Sequence, residues 1–223
     1  MVGFAPGNGI SGKDCSRYGF QELFNAKMVA KALRPILVNE FGEKQNLAQL
    51  RPQSGVGEDF AAAMRNQMTN VAGWFPLTTE PTKVGTKNFE GPIQAALDRD
   101  PDVLVLNYYG LSGALALQQA KELAPVEMDI VVPLMNRPMA RNADIAIHGV
   151  IGTVAWDVTI NSDISNAFKE AWTSAGFTQE KKVLAEPSGL GHLAYFQLLQ
   201  YAAAVERIGS FEPPSVIDEL NGY

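Results

Sequence analysis

Only one of the 223 residues is cysteine and only two are histidine. The single thiol, Cys15, allows no disulfide within the chain and no thiolate metal site. His148 and His192 each stand beside a glycine, with no second ligand at metal-binding spacing. Long apolar runs are missing too: none approaches the roughly eighteen residues a membrane-spanning helix requires. No Lys/Arg cluster lies along one face and the net charge is −6, which argues against nucleic acid and anionic membrane as partners. The opening MVGFAPGNG has neither the basic start nor the apolar core of a secretory signal. Read alone, it suits a cytoplasmic protein or a processed or shortened form.

Nucleotide and acyl-transfer motifs are approached and missed. GNGISGKD, residues 7–14, has the glycines and Lys13 of a phosphate-binding loop, but Asp14 stands where the magnesium-binding hydroxyl belongs. A carboxylate there would repel the phosphate oxygens, so the stretch reads as a glycine-rich surface loop. GLSG, residues 110–113, does not meet the nucleophile-elbow pattern, and Ser112 is expected to cap a helix. No G-x-G-x-x-G follows a strand, so dinucleotide binding has no support. No cofactor, no metal and no catalytic group is expected, and the chain does not read as an enzyme.

What is present is strand–helix alternation in a chain that is 46% hydrophobic and 19% charged. Residues 20–42 suit a long helix with Leu23, Ala26, Ala30, Leu33 and Leu37 on one side and a kink at Pro35. NLAQL (46–50) and GWFPLTTE (73–80) read as strands, with a helix over 57–71 between them. DVLVL (102–106) is apolar on both faces, as a central parallel strand must be when helices cover it on two sides. MDIVVPL (128–134) is a further strand, and helices fit 88–100 and 112–124. This rhythm predicts an α/β fold with a doubly wound parallel sheet. After Gly149 mostly helices follow. HLAYFQLLQYAAAVERIG (192–209) is apolar nearly all round and is expected to be buried, although no further sheet to bury it is evident.

In an open parallel sheet, ligands sit beyond the carboxyl ends of the strands. That rule selects Arg51, Gln53 and Ser54, then Asn107, Tyr108 and Tyr109, then Asn136. These offer amide, hydroxyl and aromatic groups with one cation and no acid–base pair, a lining for binding and not for catalysis.

Several stretches together resemble the type I periplasmic substrate-binding proteins of ABC transporters, in particular the branched-chain amino-acid (Leu/Ile/Val-binding) family. They are YGFQELFNAKMVAKALRPILVNEFG, GTKNFEGPIQAALDRDPDVLVLNYYG with ALQQAKEL, IHGVIGTVAW, and AYFQLLQYAAAVERIGSFEPPSVIDELNG, in the family's order. The resemblance implies two doubly wound lobes that close on a ligand. Residues 20–148 then correspond to one complete lobe, the second. Residues 1–19 and 149–223 correspond to a remnant of the first, with hinge crossovers and its late helices but without its opening strands. On this template Cys15 has lost a disulfide partner upstream.

The resemblance further implies a solute-binding component of an ABC importer, periplasmic, whose partners are a small polar solute (amino acid, amide or carboxylate) in an interlobe cleft and a membrane permease. In the loop after the lobe's first strand, the family's aromatic is replaced by Val56, before Gly57. Where amino-acid binders carry an acid for the ammonium, this sequence has Pro133, Leu134, Met135 and Asn136. An unpaired buried ammonium costs several kcal/mol, so a neutral or anionic solute is expected. A second reading is a structural or accessory subunit that docks on another protein, or on itself, through the apolar face the missing lobe leaves.

Overall fold

The computed structural model describes residues 6–176 and 187–222. They divide into two compact units: a sheet unit of Pro6–Asn8 and Phe24–Val154, and a helical unit drawn from Gly9–Leu23 and Ala155–Tyr223.

The sheet unit opens with α1 (Ala26–Phe41). The Asn25 side chain accepts from the Met28 N–H at 3.1 Å and stops the helix there, so residues 20–25 lie outside the helix expected to start at residue 20. Pro35 lies inside α1, and the helix continues to Phe41. There follow β1 (Asn46–Pro52), α2 (Gly55–Arg65) with a π-helical turn over Asn66–Val71, β2 (Phe75–Thr82), α3 (Glu90–Leu97) and β3 (Val103–Leu106). The unit closes with α4 (Gly110–Leu123), β4 (Asp129–Leu134), α5 (Arg137–Ala143), a 3-10 turn and β5 (Ile151–Thr153).

All five strands are parallel, in the order β2-β1-β3-β4-β5. Val103–Leu106 is fully buried, with β1 on one side and β4 on the other. Alternation along the strands splits the core into two layers. Ala48, Leu50, Leu104, Leu106, Ile130 and Val132 pack with α3, α4 and α5. Leu47, Gln49, Val103, Val105 and Val131 point the other way, where Gln49 donates to the Ala61 carbonyl of α2. The fold is the doubly wound parallel sheet that the sequence predicts.

In the helical unit, residues 9–14 form turns in which the N–H groups of Gly12 and Asp14 both donate to the Gly9 carbonyl at 3.0 Å. No helix follows, as a phosphate loop would require. Among the described residues the unit has three helices: α6 (Asp163–Ser174), capped by Ser162, then α7 (Gly189–Ile208) and α8 (Pro213–Asn221). Rings form much of its core. His192 stacks on Trp156 at 4.9 Å and meets Phe168 edge-on at 5.2 Å. The expectation that α7 is buried all round does not hold: Leu198 is 70% exposed, and Leu199 and Tyr201 are also exposed. Neighbouring helices cover only a stripe of α7, where a sheet would cover a face. Among the described residues no helix is long and apolar enough to cross a membrane.

Candidate functional site

Three strand ends meet where the strand order reverses, between β1, which connects toward β2, and β3, which connects toward β4. Such a switch point leaves a crevice beyond the carboxyl ends. At the end of β1, Ser54 caps α2 by accepting from the Gly57 N–H at 3.1 Å. Gly57 sits so close to the Pro52 carbonyl that a Cβ there would be far inside van der Waals contact. At the end of β2, Thr82 leads into a turn closed by the Thr86 N–H on the Lys83 carbonyl, with Gly85 at φ +84°. The Gln53 N–H donates to the Thr82 carbonyl at 2.7 Å and ties the first loop to the second. At the end of β3, Tyr109 precedes α4 without a side-chain capping bond, so the first N–H groups of that helix are left for other acceptors.

Between these loops lies a cavity of about 290 Å³. The first loop contributes Pro52, Ser54 and Val56; the second contributes Thr82 to Thr86 and Phe89; the third contributes Tyr108, Tyr109 and Ser112. Among the described residues Lys83 is the one charged residue in that lining. Tyr108 is buried and meets Phe89 edge-on at 5.2 Å, while its hydroxyl shares a hydrogen bond with Thr82 at 2.9 Å. Burial pushes the Tyr108 phenol up to about 12, the Thr82 bond and the Arg51 charge pulling back only partly, so it stays neutral near pH 7. The lining therefore presents one cation, hydroxyls and ring surface. A hollow of about 470 Å³ lies elsewhere on the sheet unit, lined by Asn8, Lys27, Lys31, Ala62, Ala63, Asn66 and Gln67, and it holds no ring and no strand end. Among the described residues no group of three or more His, Cys, Asp or Glu is placed to hold a metal ion.

Of the seven residues selected from the sequence, the cavity brings together Ser54, Tyr108 and Tyr109. Arg51 lies outside the lining and pairs with Glu58 at 2.7 Å. Gln53 is exposed beside the cavity. Asn107 is buried and donates to the Gln49 side chain and the Leu50 carbonyl, both at 3.1 Å. Asn136 caps α5 by accepting from the Met139 N–H at 2.8 Å. One expectation is corrected: Tyr109 holds the cap position of α4, and Ser112 sits in the first turn, lining the cavity. Thr82, Lys83, Val84, Gly85 and Thr86 were not selected: no residue was taken from the end of this strand, which the sequence places at Glu80 and which runs to Thr82.

A family model described as "Periplasmic binding protein" matches residues 1–223. Among curated proteins no sequence matches the chain. An amino acid ABC transporter substrate-binding protein from Pseudomonas fluorescens Pf-5 superposes with a TM-score of 0.85 at 18% identity, over 96% of this chain and 56% of its own. A branched chain amino acid ABC transporter periplasmic ligand-binding protein from Burkholderia xenovorans LB400 superposes at 0.79, with 20% identity over 100% of this chain and 57% of its own. A solute-binding protein of an ABC transporter from R. palustris, solved in complex with benzoate, superposes at 0.80, with 13% identity over 98% and 57%. The chain thus spans a little over half the length of these structures, and they share its fold.

Proposed function

The chain belongs to the periplasmic binding protein family, and from that premise we propose that it is a solute-binding component of an ABC importer, not an enzyme. The cavity at the switch point of the parallel sheet carries this reading. Its volume is at the low end for ligand sites, which suits a small solute. Its rings and hydroxyls can hold such a solute, and among the described residues the lining contains no acid–base pair for chemistry. The solute is a small polar molecule, such as an amino acid, an amide or a carboxylate; the similar structures include an amino-acid transporter component and a benzoate complex. The implied partner is a membrane permease and the implied location is the periplasm.

We assign residues 20–148 to one complete lobe of the family fold, and residues 1–19 and 149–223 to the other. The compact unit ending at Val154, with its own two-layered core, supports that assignment. Ser54, Tyr108 and Tyr109 are the proposed contacts from the original selection, joined by the residues of the second loop. A formed cavity with an exposed ring at its edge favours solute binding over a purely structural role.

Ligand-induced stabilisation of the whole chain tests the proposal. A solute at a hundred times its Kd adds about 2.7 kcal/mol to the unfolding free energy. The expected result is a rise in Tm with at least one member of a panel of amino acids, amides and carboxylates. No rise with any of them contradicts it.

A further inference from the structure

We propose, building on the solute-binding reading, that the solute seated in this cavity is a monocarboxylate on a short apolar body without an ammonium group, and that Lys83 recognises its charge. The case rests on which hydrogen-bonding groups the protein has already used. Lys83 lines the cavity, is exposed, and its ammonium meets no partner among the described residues. Arg51, the nearby alternative cation, is held by Glu58.

The hydroxyls divide in the same sense. Ser54 accepts from the Gly57 N–H, which leaves its own proton to donate. Ser112 takes no partner among the described residues, and its proton is available as well. Thr86 donates its proton to the Lys83 carbonyl, and Thr82 and Tyr108 bond to each other. Unused donors therefore remain on Lys83, Ser54 and Ser112, the hydroxyls keep acceptors as well, and among the described residues no carboxylate stands in the lining to pair with a cation. Glu58 and Glu80, on the elements that lead into the loops, are engaged by Arg51 and Thr78.

A carboxylate has only acceptors and satisfies these donors without leaving one of its own stranded. An α-ammonium brings three donors to a site that already has them and meets no negative charge. The side chains of Val56, Val84 and Tyr109 offer apolar surface to the remainder of the solute.

Two molecules that share a skeleton test this: 4-methylpentanoate, and L-leucine, which adds one ammonium. Calorimetric titration of the full chain is expected to give at least about a hundredfold tighter binding for the carboxylate. Lys83→Met is expected to weaken 4-methylpentanoate and benzoate at least about tenfold while leaving neutral 4-methylpentanamide unchanged, because only the charged solute loses a partner. Ser112→Ala is a second variant, expected to weaken the carboxylates several-fold. L-leucine binding as tightly as 4-methylpentanoate overturns the inference and leaves the solute-binding reading intact. An unchanged carboxylate affinity in Lys83→Met overturns the role of Lys83. Silence toward these probes and toward the whole panel of amino acids, amides and carboxylates overturns both.

Discussion

Helices α4 and α7 begin from similar raw material and end differently. The first has 14 residues and buries Gly113, Ala114, Ala116, Leu117 and Ala120. The second has 20 residues and a more continuous apolar text, yet buries only Gln197, Ala204 and Val205. The difference lies in what each helix meets. A parallel sheet presents a broad apolar surface on each side, so small residues on α4 come close and vanish from solvent. In the helical unit α7 shares an aromatic cluster near its start and a small cluster of Ala204, Val205 and Val216 near its end. Its middle, from Leu198 to Ala202, stays in solvent. Apolar composition makes burial favourable, but only a partner surface makes it happen.

Substitutions that probe this contrast should rank by how completely each site is enclosed. The largest loss is expected for Leu104→Ala at the centre of the sheet, where the side chain is 0% exposed. Removing it leaves a cavity that stiff neighbouring strands cannot fill, at about 3 kcal/mol in denaturant titration. A cost under about 1 kcal/mol would show that the sheet core is loosely packed. Next comes Gly57→Ala, where the new methyl group meets the Pro52 carbonyl. Its expected cost is about 1–3 kcal/mol, with weakened solute binding because the first loop must move. Unchanged stability and affinity would show that this loop is not fixed by that contact.

The helical unit responds to pH through His192. Burial holds its imidazolium form below the ordinary histidine range. The unfolded chain therefore takes up the proton first. The contribution of His192 to stability is full above the unfolded pKa, near 6.5, and is lost as pH falls from there through the depressed folded value. Hydrogen exchange in α7, corrected for the pH dependence of the intrinsic amide rate, should accelerate as pH falls below about 6.5, and His192→Phe should flatten that dependence. Equal acceleration in β3 would place the titration elsewhere. The smallest effect is expected for Leu198→Ala, under about 0.5 kcal/mol, because its side chain is already 70% exposed. A loss comparable to that of Leu104→Ala would mean that something covers this face in solution.

Much of the fold was legible because parallel strands advertise themselves. Val103–Leu106 has no polar residue on either face, and only a strand covered on both sides is written that way. The end of β2 was harder to place. Pro76 and Pro81 interrupt the run, but β2 is an edge strand with only β1 beside it, so the lost donors break no ladder on the open side. No residue was selected beyond the end of this strand, and with that the loop carrying Lys83 was missed.

The rule of strand ends selected Ser54, Tyr108 and Tyr109, which line the cavity, but could not separate neighbours that point apart. Asn107 and Tyr108 are consecutive; the first turns to Gln49 and the second to Phe89, on opposite faces of the sheet. That parity was available in the alternation of Ala48, Leu50, Leu104 and Leu106 toward one layer. The pairing of Arg51 with Glu58 was not, because it depends on how the chain turns between β1 and α2.

Amide chemical-shift mapping of the labelled chain during titration with 4-methylpentanoate and benzoate tests the site most directly. The account predicts perturbations concentrated in residues 52–57, 82–89 and 108–113, around the cavity at the tips of β1, β2 and β3. Shifts centred instead on Lys27, Lys31, Asn66 and Gln67, with those three loops silent, would contradict it.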